Sequence, residues 1–370
     1  MKIGINGLPL TKRMTGVGFY TYNLILNLAK LFPETEYDLF LPRRSLVNLS
    51  LSNLKPTVCP FVKGIIWEQT RLSYECRKRK VDLLHCTNYI VPLLSKIPIV
   101  LTIHDLTILR YPQTHPWKRR FKNLLLLRSS IEKAEIIIAV SRFTAQEISS
   151  FFGCPQEKIK IVYEGVSPLF FSCDDKRKLS QIRQLYGLPP QYILYVGTLE
   201  PRKNITSLLL AFKMLKSKTD FPHKLVITGG KGWIYGKIMD TWKRLNVKKE
   251  VIFTGYIPTA DLPGLYSLAQ LFVYPSIYEG FGLPPLEAMA CGTPVVVSNV
   301  SSLPEVVGDV GVMVDPKKPE SIYQGMVSVL ANPSLQKQLK EKGLKRAKEF
   351  TWEKTARITQ EIYKEVLCGG

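Results

Sequence analysis

The sequence predicts an α/β protein with two Rossmann-like domains, each built on a parallel sheet with helices on both faces. Short β-branched runs alternate with helix-like runs along the chain, and this alternation is typical of parallel sheets covered on both sides. It breaks once, in the charged stretch EGVSPLFFSCDDKRKLSQ at residues 164–181, which we interpret as a linker. The chain also has 370 residues, more than one hydrophobic core usually serves.

The first block, residues 1–168, predicts the first domain. Its opening strand, KIGING, is followed by the helix VGFYTYNLILNLAKLF, in which Leu24, Leu28 and Leu31 recur at helical spacing. The remaining strands are short apolar runs, in chain order YDLFL, DLLHC, IPIVLTIHD, EIIIAVS and KIKIVY. Together these runs form the first of the two predicted parallel sheets.

The second block, residues 185–350, repeats this alternation and predicts the second domain. Its strands are, in chain order, YILYVG, KLVITGG, VIFTGY, LFVYPS, TPVVVS and GVMVD. The chain then closes with FTWEKTARITQEIYKEVL, a helical pattern that begins after a capping threonine. We expect Trp352 to anchor this last helix by packing.

The composition predicts a globular protein with an anionic partner. Hydrophobic residues make up 45% of the chain, so it is not disordered. The 51 Lys and Arg residues exceed the 30 Asp and Glu residues and give a net charge of +21. Such an excess suggests nucleic acid, an anionic membrane surface or a phosphorylated ligand. A hyperbasic tail and zinc-finger or RNP-type signatures are absent from the sequence, and we therefore expect no nucleic acid.

Cysteines, histidines and apolar segments suggest a cytoplasmic protein without a metal centre. Seven cysteines, an odd number, are scattered without paired spacing, which favours reduced thiols in the cytosol. The four histidines, at positions 85, 104, 115 and 223, show no ligand spacing with them. The N-terminal MKIGINGLPLTKR lacks the apolar core of a signal peptide. No run approaches the ~18 apolar residues of a membrane span.

Two glutamates, Glu279 and Glu287, flank a turn between two predicted strands. LFVYPS and TPVVVSN are strand-like, and PPLEAMACG between them is a helix that stops before Gly292. The loop and the helix start therefore lie at the carboxyl edge of a parallel sheet, where ligands bind. Amides near Gly282 and Leu283 would point at an anion there. The alternative is that Glu287 only complements the helix dipole and that Glu279 is solvated.

A second loop at the same predicted edge carries two adjacent cations. The strand YILYVG ends at Gly197, which suits a tight turn, and GTLEPRKN then places Arg202 and Lys203 at a helix start near Asn204. Cations are disfavoured at a helix N-terminus, so an anion that both side chains face explains them better. A diphosphate suits an Arg fork and a Lys ammonium. The alternative is a solvated surface pair.

Three further loops follow predicted strands. Gly16-Val17-Gly18 opens the first helix, with an ordinary tight turn as the alternative. His104 follows IPIVLTI and is a candidate hydrogen-bonding group for a substrate, the alternative being a histidine held by Asp105. FTGYIP, residues 253–258, ends another strand, and its backbone could contact a nucleobase.

Taken together, these motifs resemble family four of the retaining glycosyltransferases, which have the GT-B fold of two Rossmann-like domains facing a central cleft. The resemblance covers nearly the whole chain and rests on GVG, His104-Asp105, GTLEPRKN, FTGYIP and EGFGLPPLEAMACGTPVV. It implies an acceptor-side domain over residues 1–168, closed by a C-terminal helix at 351–367. It also implies a donor-binding domain over residues 185–350.

The resemblance implies roles for individual residues. Catalytic roles fall to His104, Arg202, Lys203 and Glu279, and donor-binding roles to Gly16, Gly197, Tyr256, Phe281, Gly282, Leu283 and Glu287. Arg202 and Lys203 would bind the diphosphate, Glu279 would lie near the sugar hydroxyls, and Glu287 would hydrogen-bond the ribose. His104 would touch the donor sugar, and Gly16 would lie near phosphate and acceptor. The amides of 281–283 would reach sugar and diphosphate, and the backbone at Tyr256 would contact the base.

The activity that the resemblance implies is transfer of a hexose from a nucleotide sugar with retained anomeric configuration. The leaving phosphate would help to deprotonate the acceptor in a front-face attack. The sequence has no Asp-x-Asp motif, so the two cations would replace a divalent ion, and no cofactor is expected. The pattern is most similar to bacterial mannosyltransferases of polysaccharide or glycolipid assembly. We therefore expect GDP-mannose as donor, with a UDP-hexose as the alternative, and a saccharide or polyprenyl-linked acceptor.

Two other functions use the same features. A GT-B nucleotide-sugar epimerase would need the donor loops without an acceptor, and a non-catalytic anion-binding protein would need only the basic surface. The segment HPWKRRFKNLLLLRSS, residues 115–130, also sets Lys118, Arg119, Arg120 and Lys122 beside an apolar stripe. RKRK at 77–80 adds charge. This pattern predicts peripheral attachment to the inner face of the cell membrane, the alternative being a core helix with a solvated basic face.

Overall fold

The computed structural model describes residues 1–11, 16–45, 49, 51–60, 64–111 and 117–369, with side chains for all of these except residues 117–123. The chain divides into two compact units. Unit 1 comprises Met1–Gly165 and Thr351–Gly370, and unit 2 comprises Val166–Phe350.

Unit 1 contains a seven-stranded sheet in the order β3-β2-β1-β4-β5-β6-β7, and all of its strand pairs are parallel. Its strands are β1 (Lys2–Asn6), β2 (Glu36–Leu41), β3 (Leu54–Val58), β4 (Leu83–Cys86), β5 (Ile99–Ile103), β6 (Ile136–Ala139) and β7 (Ile159–Ile161). Its helices are α1 (Gly16–Leu31), α2 (Ser73–Lys78), α3 (Thr107–Arg110), α4 (Trp117–Lys133) and α5 (Arg142–Phe152). A π-helical turn, Trp67–Leu72, runs directly into α2.

Unit 2 contains a six-stranded parallel sheet in the order β10-β9-β8-β11-β12-β13. Its helices are α6 (Lys176–Leu185), α7 (Ile205–Lys218), α8 (Tyr235–Arg244), α9 (Leu262–Leu268), α10 (Leu283–Ala290), α11 (Leu303–Val307), α12 (Pro319–Leu330) and α13 (Pro333–Ala347). Its strands are β8 (Tyr192–Val196), β9 (Lys224–Thr228), β10 (Val251–Gly255), β11 (Leu271–Tyr274), β12 (Val295–Ser298) and β13 (Val312–Val314). The chain ends with α14 (Trp352–Cys368), which belongs to unit 1.

The central strands explain why both sheets are parallel. Every residue of β5, β8 and β12 is buried, so their apolar side chains are covered on both faces. A strand that is covered by helices on both faces has a continuous run of apolar residues. In an antiparallel strand with one face in water, apolar and polar residues would alternate. The predicted α/β class with two parallel-sheet domains is confirmed.

Helix α14 is fixed to unit 1 by close packing and by buried hydrogen bonds. Trp352 is 2% exposed and packs edge-on against Tyr20, with 5.8 Å between the ring centroids, which confirms its predicted role as an anchor. Thr351 caps the helix by accepting the N–H of Lys354. Deeper in the unit, the Tyr363 hydroxyl lies 2.6 Å from Nδ1 of His85. Burial lowers the pKa of His85 to about 3, so this imidazole is neutral in the folded chain.

The predicted linker at 164–181 is only partly correct. The chain has no helix or strand from Val166 to Asp175, but helix α6 begins at Lys176. Asp175 provides the reason, because its carboxylate accepts the N–H groups of Arg177 and Lys178 and caps the first turn. The charged residues of this stretch therefore belong both to the linker and to the start of helix α6. All seven cysteines are free thiols, and six of them are buried.

Three adjacent strands of unit 2 end in glycines at the carboxyl edge of the sheet. Gly197, Gly229 and Gly255 have φ values of 157°, 149° and 74°. A Cβ on Gly229 would lie 2.0 Å from the carbonyl oxygen of Gly197, so neighbouring turns approach too closely for a side chain. This close approach brings the loops after β8 and β9 together and positions the residues described next.

Candidate active site

The loop after β8 holds Arg202 and Lys203 in a fixed geometry. It forms a short 3-10 turn, Pro201–Lys203, and then passes through Asn204, which adopts a left-handed conformation with φ of 58°. The Asn204 side chain donates to the carbonyls of Pro275 (3.1 Å) and Pro316 (2.7 Å), which fixes the turn just before α7. Asparagine tolerates this conformation better than most residues do.

Both cations contact one carboxylate, Glu279, which lies in the loop after β11. The Lys203 ammonium is 2.6 Å from Oε1 of Glu279, and Nη1 of Arg202 is 3.0 Å from Oε2. The hydroxyls of Tyr274 and Ser276 also donate to Oε1, at 2.9 and 2.6 Å. Glu279 therefore accepts from four side chains.

A second carboxylate, Glu200, pairs with the same guanidinium. Its Oε1 lies 2.5 Å from Nε of Arg202, and its Oε2 accepts the indole N–H of Trp233 at 3.0 Å. We name Glu200, Arg202, Lys203 and Glu279 the charge cluster. Its two cations balance its two carboxylates, so the cluster is neutral as a whole.

The charge cluster is almost excluded from water. Lys203 and Glu279 are each 7% exposed, and Glu200 is 9% exposed. Burial alone would raise the pKa of Glu279, but the neighbouring Lys203 and Arg202 charges outweigh it and lower the pKa to about 2. Glu279 is therefore a stable anion. The alternatives of a solvated Glu279 and a solvated Arg-Lys pair are wrong, because these side chains are buried and paired.

The anion that the two cations face within the described chain is Glu279 itself. The sequence predicts that adjacent cations at a helix start need a negative partner. In the structure this partner is Glu279, which lies 77 positions after Arg202 and 76 positions after Lys203. Sequence reasoning missed this pairing and also missed Glu200, Trp233, Tyr274 and Ser276. Glu200 lies in the GTLEPRKN motif, and Tyr274 and Ser276 lie in LFVYPS, but neither segment indicated which side chains they contact.

Helix α10 begins directly after Glu279 and the Gly-Phe-Gly turn. Gly282 precedes the helix with φ of 122°, and Leu283 is its first residue. Backbone N–H groups at such a start have no acceptor within the helix, so they are oriented to bind an anion. Phe281 is 4% exposed and packs edge-on against Phe350. Its ring is therefore part of the core of unit 2.

Two serines on the next loop hold this turn. Ser301 Oγ accepts the N–H of Glu279 at 3.1 Å, and Ser302 Oγ donates to the carbonyl of Glu279 at 3.0 Å. Ser301 has φ of 59°, an uncommon conformation for a residue other than glycine. The backbone of the Glu279 loop is thus fixed from the β12–α11 connection.

Glu287 lies one turn into α10 and is separate from the charge cluster. Its Oε2 accepts the Tyr266 hydroxyl at 3.0 Å. Burial raises the pKa of Glu287 to about 7, although the Tyr266 hydrogen bond opposes this rise. Near neutral pH the carboxyl group therefore exists in both protonation states and can donate or accept a hydrogen bond.

The other predicted donor-binding residues of unit 2 lie at the ends of its strands. Gly197 follows β8 and donates its N–H to the carbonyl of Thr228 at 2.9 Å. Tyr256 follows β10 and is 53% exposed. Both are at the carboxyl edge of the sheet, as predicted, and their roles in binding stay predictions.

In unit 1, His104 is buried and held on both ring nitrogens. Nδ1 lies 3.1 Å from Oε1 of Glu164, and Nε2 lies 3.0 Å from the carbonyl oxygen of Thr87. A carboxylate and a backbone carbonyl therefore fix the orientation of the His104 ring from both sides. The carboxylate that holds His104 is thus Glu164 and not the predicted Asp105, whose side chain accepts the N–H of Thr107. Gly16 is the exposed first residue of α1, and the predicted roles of Gly16 and His104 stay predictions.

Both units match known protein families. The family model "Glycosyl transferases group 1" matches residues 179–346, and "Glycosyltransferase Family 4" matches residues 14–168. The chain is 34% identical, over 98% of its length, to O-antigen chain mannosyltransferase B of Escherichia coli, and it covers 100% of that protein.

Solved structures show the same architecture across the whole chain. Sucrose-phosphate synthase from Thermosynechococcus elongatus superposes with a TM-score of 0.81 at 22% identity and with full coverage of both chains. Anabaena Alr3699/HepE, in complex with UDP-glucose, superposes with a TM-score of 0.77 at 18% identity, covering 99% of this chain and 100% of that one. These likenesses show the fold.

The fold and the matches define a glycosyltransferase of the GT-B class. More particularly, the chain belongs to the family 4 glycosyltransferases, also called glycosyl transferases group 1, as the sequence predicted. A non-catalytic anion-binding protein is thereby set aside. Among the described residues, no three His, Cys, Asp or Glu side chains form a group able to hold a metal ion.

The neutrality of the charge cluster predicts how its variants unfold. Lys203→Met should lower stability by about 3–5 kcal/mol, because it leaves a buried carboxylate uncompensated. Lys203→Met/Glu279→Gln should be more stable than Lys203→Met alone, since Arg202 and Glu200 remain as a balanced pair. Urea unfolding of the three proteins measures both differences. A double variant no more stable than the single one would contradict the charge balance.

Glu287→Gln tests the raised pKa of Glu287 by the same unfolding measurement. The raised pKa of Glu287 means that this carboxyl group keeps a proton in the folded chain which it releases in the unfolded chain, so the contribution of Glu287 to stability falls as pH rises from about 4.5 to 7. Glutamine removes this loss. The stability of Glu287→Gln relative to wild type should therefore increase over this pH range, and a flat difference would show that Glu287 titrates normally.

Proposed function

We propose that the chain transfers mannose from GDP-mannose to a saccharide or polyprenyl-linked acceptor, with retention of the anomeric configuration. The observation that carries this proposal is the charge cluster, which pairs Arg202 and Lys203 with Glu279 in the loop that leads into α10. The choice of mannose is supported by the full-length relative named O-antigen chain mannosyltransferase B. A UDP-hexose is the second candidate donor, because a protein of the same fold is solved with UDP-glucose.

In this proposal, the diphosphate of the donor binds where cations and helix amides converge. A diphosphate there would exchange part of the pairing with Glu279 for its own contacts to Arg202 and Lys203. The N–H groups of Gly282 and Leu283 would add fixed donors at the helix start. As the sugar departs, negative charge grows on the diphosphate, and preorganised donors then stabilise the transition state more than the ground state.

The proposed role of Glu279 is to orient the cations and the sugar. A nucleophile or general base needs an available lone pair and a pKa near the working pH. Glu279 has a pKa of about 2 and accepts from Lys203, Arg202, Tyr274 and Ser276, so it is poorly suited to either task. This supports the front-face route, in which the leaving phosphate takes the acceptor proton.

Glu287 is proposed to hold the ribose. Its raised pKa allows the carboxyl group to donate to one hydroxyl oxygen or accept from one hydroxyl group near neutral pH. Such a contact changes little between ground state and transition state. It would therefore contribute to donor affinity more than to turnover.

A panel of nucleotide sugars tests the proposal. Purified chain is incubated with GDP-mannose, UDP-glucose and UDP-galactose, with and without a mannose-containing oligosaccharide or its polyprenyl-linked form, and released nucleoside diphosphate is measured. We expect acceptor-dependent release of GDP from GDP-mannose and an α-linked product. We also expect turnover to survive EDTA, because the two cations would replace a divalent ion.

Several outcomes would contradict parts of this account. Preference for a UDP-sugar would overturn the choice of donor and leave the transferase activity in place. Interconversion of free nucleotide sugars without an acceptor would favour an epimerase. Loss of activity in EDTA that magnesium or manganese restores would show that a metal ion, and not the cluster alone, neutralises the diphosphate.

We also propose that unit 1 attaches to anionic membrane on the cytoplasmic side. Exposed apolar side chains of this unit include Ile66 (51%), just before the π-helical turn, Tyr74 (54%) in α2 and Leu125 (53%) in α4. Exposed basic residues follow on the same segment at Arg77, Lys78 and Lys80. The side chains of Lys118, Arg119, Arg120 and Lys122 lie outside the described residues. Within the described residues, no helix is both long and apolar enough to cross a bilayer.

Co-sedimentation with vesicles tests the attachment. Wild type should bind vesicles containing anionic lipid at moderate salt, and replacing Lys118, Arg119, Arg120 and Lys122 by Glu should abolish binding. A matched control replaces four exposed lysines of unit 2, Lys337, Lys342, Lys345 and Lys348, by Glu. Equal loss in both quadruple variants would show that net charge alone drives binding, and no binding by wild type would refute the attachment.

A further inference from the structure

Glu200 connects Arg202 to a tryptophan outside the motifs that the sequence singled out. One carboxylate oxygen meets Nε of Arg202 at 2.5 Å, and the other accepts the Trp233 indole N–H at 3.0 Å. Glu200 is 9% exposed, so water contributes little to its solvation. Both oxygens of this buried carboxylate therefore accept hydrogen bonds, one from the Arg202 guanidinium and one from the Trp233 indole.

The loop that carries Trp233 is fixed to the strand-end loop that carries Glu200. The N–H of Leu199 donates to the carbonyl of Gly230 at 3.0 Å, and the N–H of Gly232 donates back to the carbonyl of Leu199 at 3.2 Å. A Cβ on Gly232 would lie 2.8 Å from that same carbonyl oxygen. The two loops therefore approach backbone to backbone, and the indole position follows from this contact.

These contacts determine the plane of the Arg202 guanidinium. Glu200 binds it at Nε, and Glu279 binds it at Nη1, so two edges of a planar group are held at once. Nη1 also donates to the carbonyl oxygen of Tyr278 at 3.1 Å, so the end of the guanidinium has two acceptors, whereas Glu200 holds it at Nε. A carboxylate that is itself anchored, here by Trp233, orients its partner more strictly than a mobile one does.

We propose that Glu200 and Trp233 are positioning residues that hold Arg202 in the orientation required to meet the leaving diphosphate. The inference rests on the proposed function, because it takes Arg202 to contact the diphosphate. Trp233 acts through Glu200, and Glu200 acts through Arg202. Neither residue needs to touch the donor.

Turnover by Trp233→Phe is the first part of the test. This variant keeps an aromatic ring but loses the N–H that Glu200 accepts, together with part of the indole ring system. We expect kcat to fall roughly 10- to 100-fold with a small change in donor KM, because misplacement of a charge-stabilising group affects the transition state most. Trp242→Phe is the matched control, since the buried Trp242 N–H has no hydrogen-bond partner among the described residues and its ring packs against Phe253. The control should retain wild-type kcat.

The second part asks whether the effect travels through Arg202. In an Arg202→Lys background, the guanidinium fork is absent, so adding Trp233→Phe should lower kcat little further. Glu200→Gln should resemble Trp233→Phe in its low kcat. Thermal melts of all variants ensure that kcat is compared between folded proteins.

The outcomes separate this inference from the function on which it rests. If wild type releases no nucleoside diphosphate from any donor of the panel, the proposed function and the inference fail together. If wild type is active and Trp233→Phe behaves like Trp242→Phe, only the inference fails. It also fails if Trp233→Phe lowers kcat by the same factor in wild type and in Arg202→Lys.

Discussion

The contact on which the rest of the site depends is the buried pairing of Glu279 with Lys203 and Arg202. Two cations next to a helix start repel each other and oppose the helix dipole, so this loop conformation needs a nearby anion. Glu279 supplies it from the loop after β11, and Glu200 balances the second charge. The cluster is neutral while no ligand is bound. In the proposed function, an incoming diphosphate would therefore compete with Glu279 for Arg202 and Lys203.

The fold makes this pairing attainable because all strands of a parallel sheet end at one edge. Residues from the loops after β8, β9 and β11 meet there, although Glu200 and Glu279 are 79 positions apart in the sequence. Glycines at the strand ends let these loops approach backbone to backbone. At Gly229, for example, a Cβ atom would lie only 2.0 Å from the carbonyl oxygen of Gly197. Ser301 and Ser302 then hold the Glu279 loop from the next connection. Each part of the site is thus fixed by a neighbour that is itself part of the sheet edge.

Much of this architecture could be predicted because it depends on local patterns. Apolar β-branched runs between helices give parallel sheets, and Thr351, Gly292 and the start of α10 follow local rules of capping. The side-chain partners could not be predicted, since they depend on which way each group points. The sequence placed Arg202, Lys203 and Glu279 at one edge without showing that they bind each other. It likewise offered Asp105 for His104, whereas Glu164, 60 positions away, is the partner. The helix at Lys176 was missed because its capping residue, Asp175, lies in a charged run that resembles a linker.

The most direct test of the central claim is a crystal structure of the chain with the nucleoside diphosphate that it releases. We expect diphosphate oxygens within hydrogen-bond distance, roughly 2.7–3.2 Å, of Arg202 or Lys203 and of an amide at the start of α10. We also expect at least one contact between these cations and Glu279 to lengthen as the diphosphate takes its place. A nucleotide bound with its diphosphate away from the cluster, and with all four charges still paired as in the free chain, would contradict it.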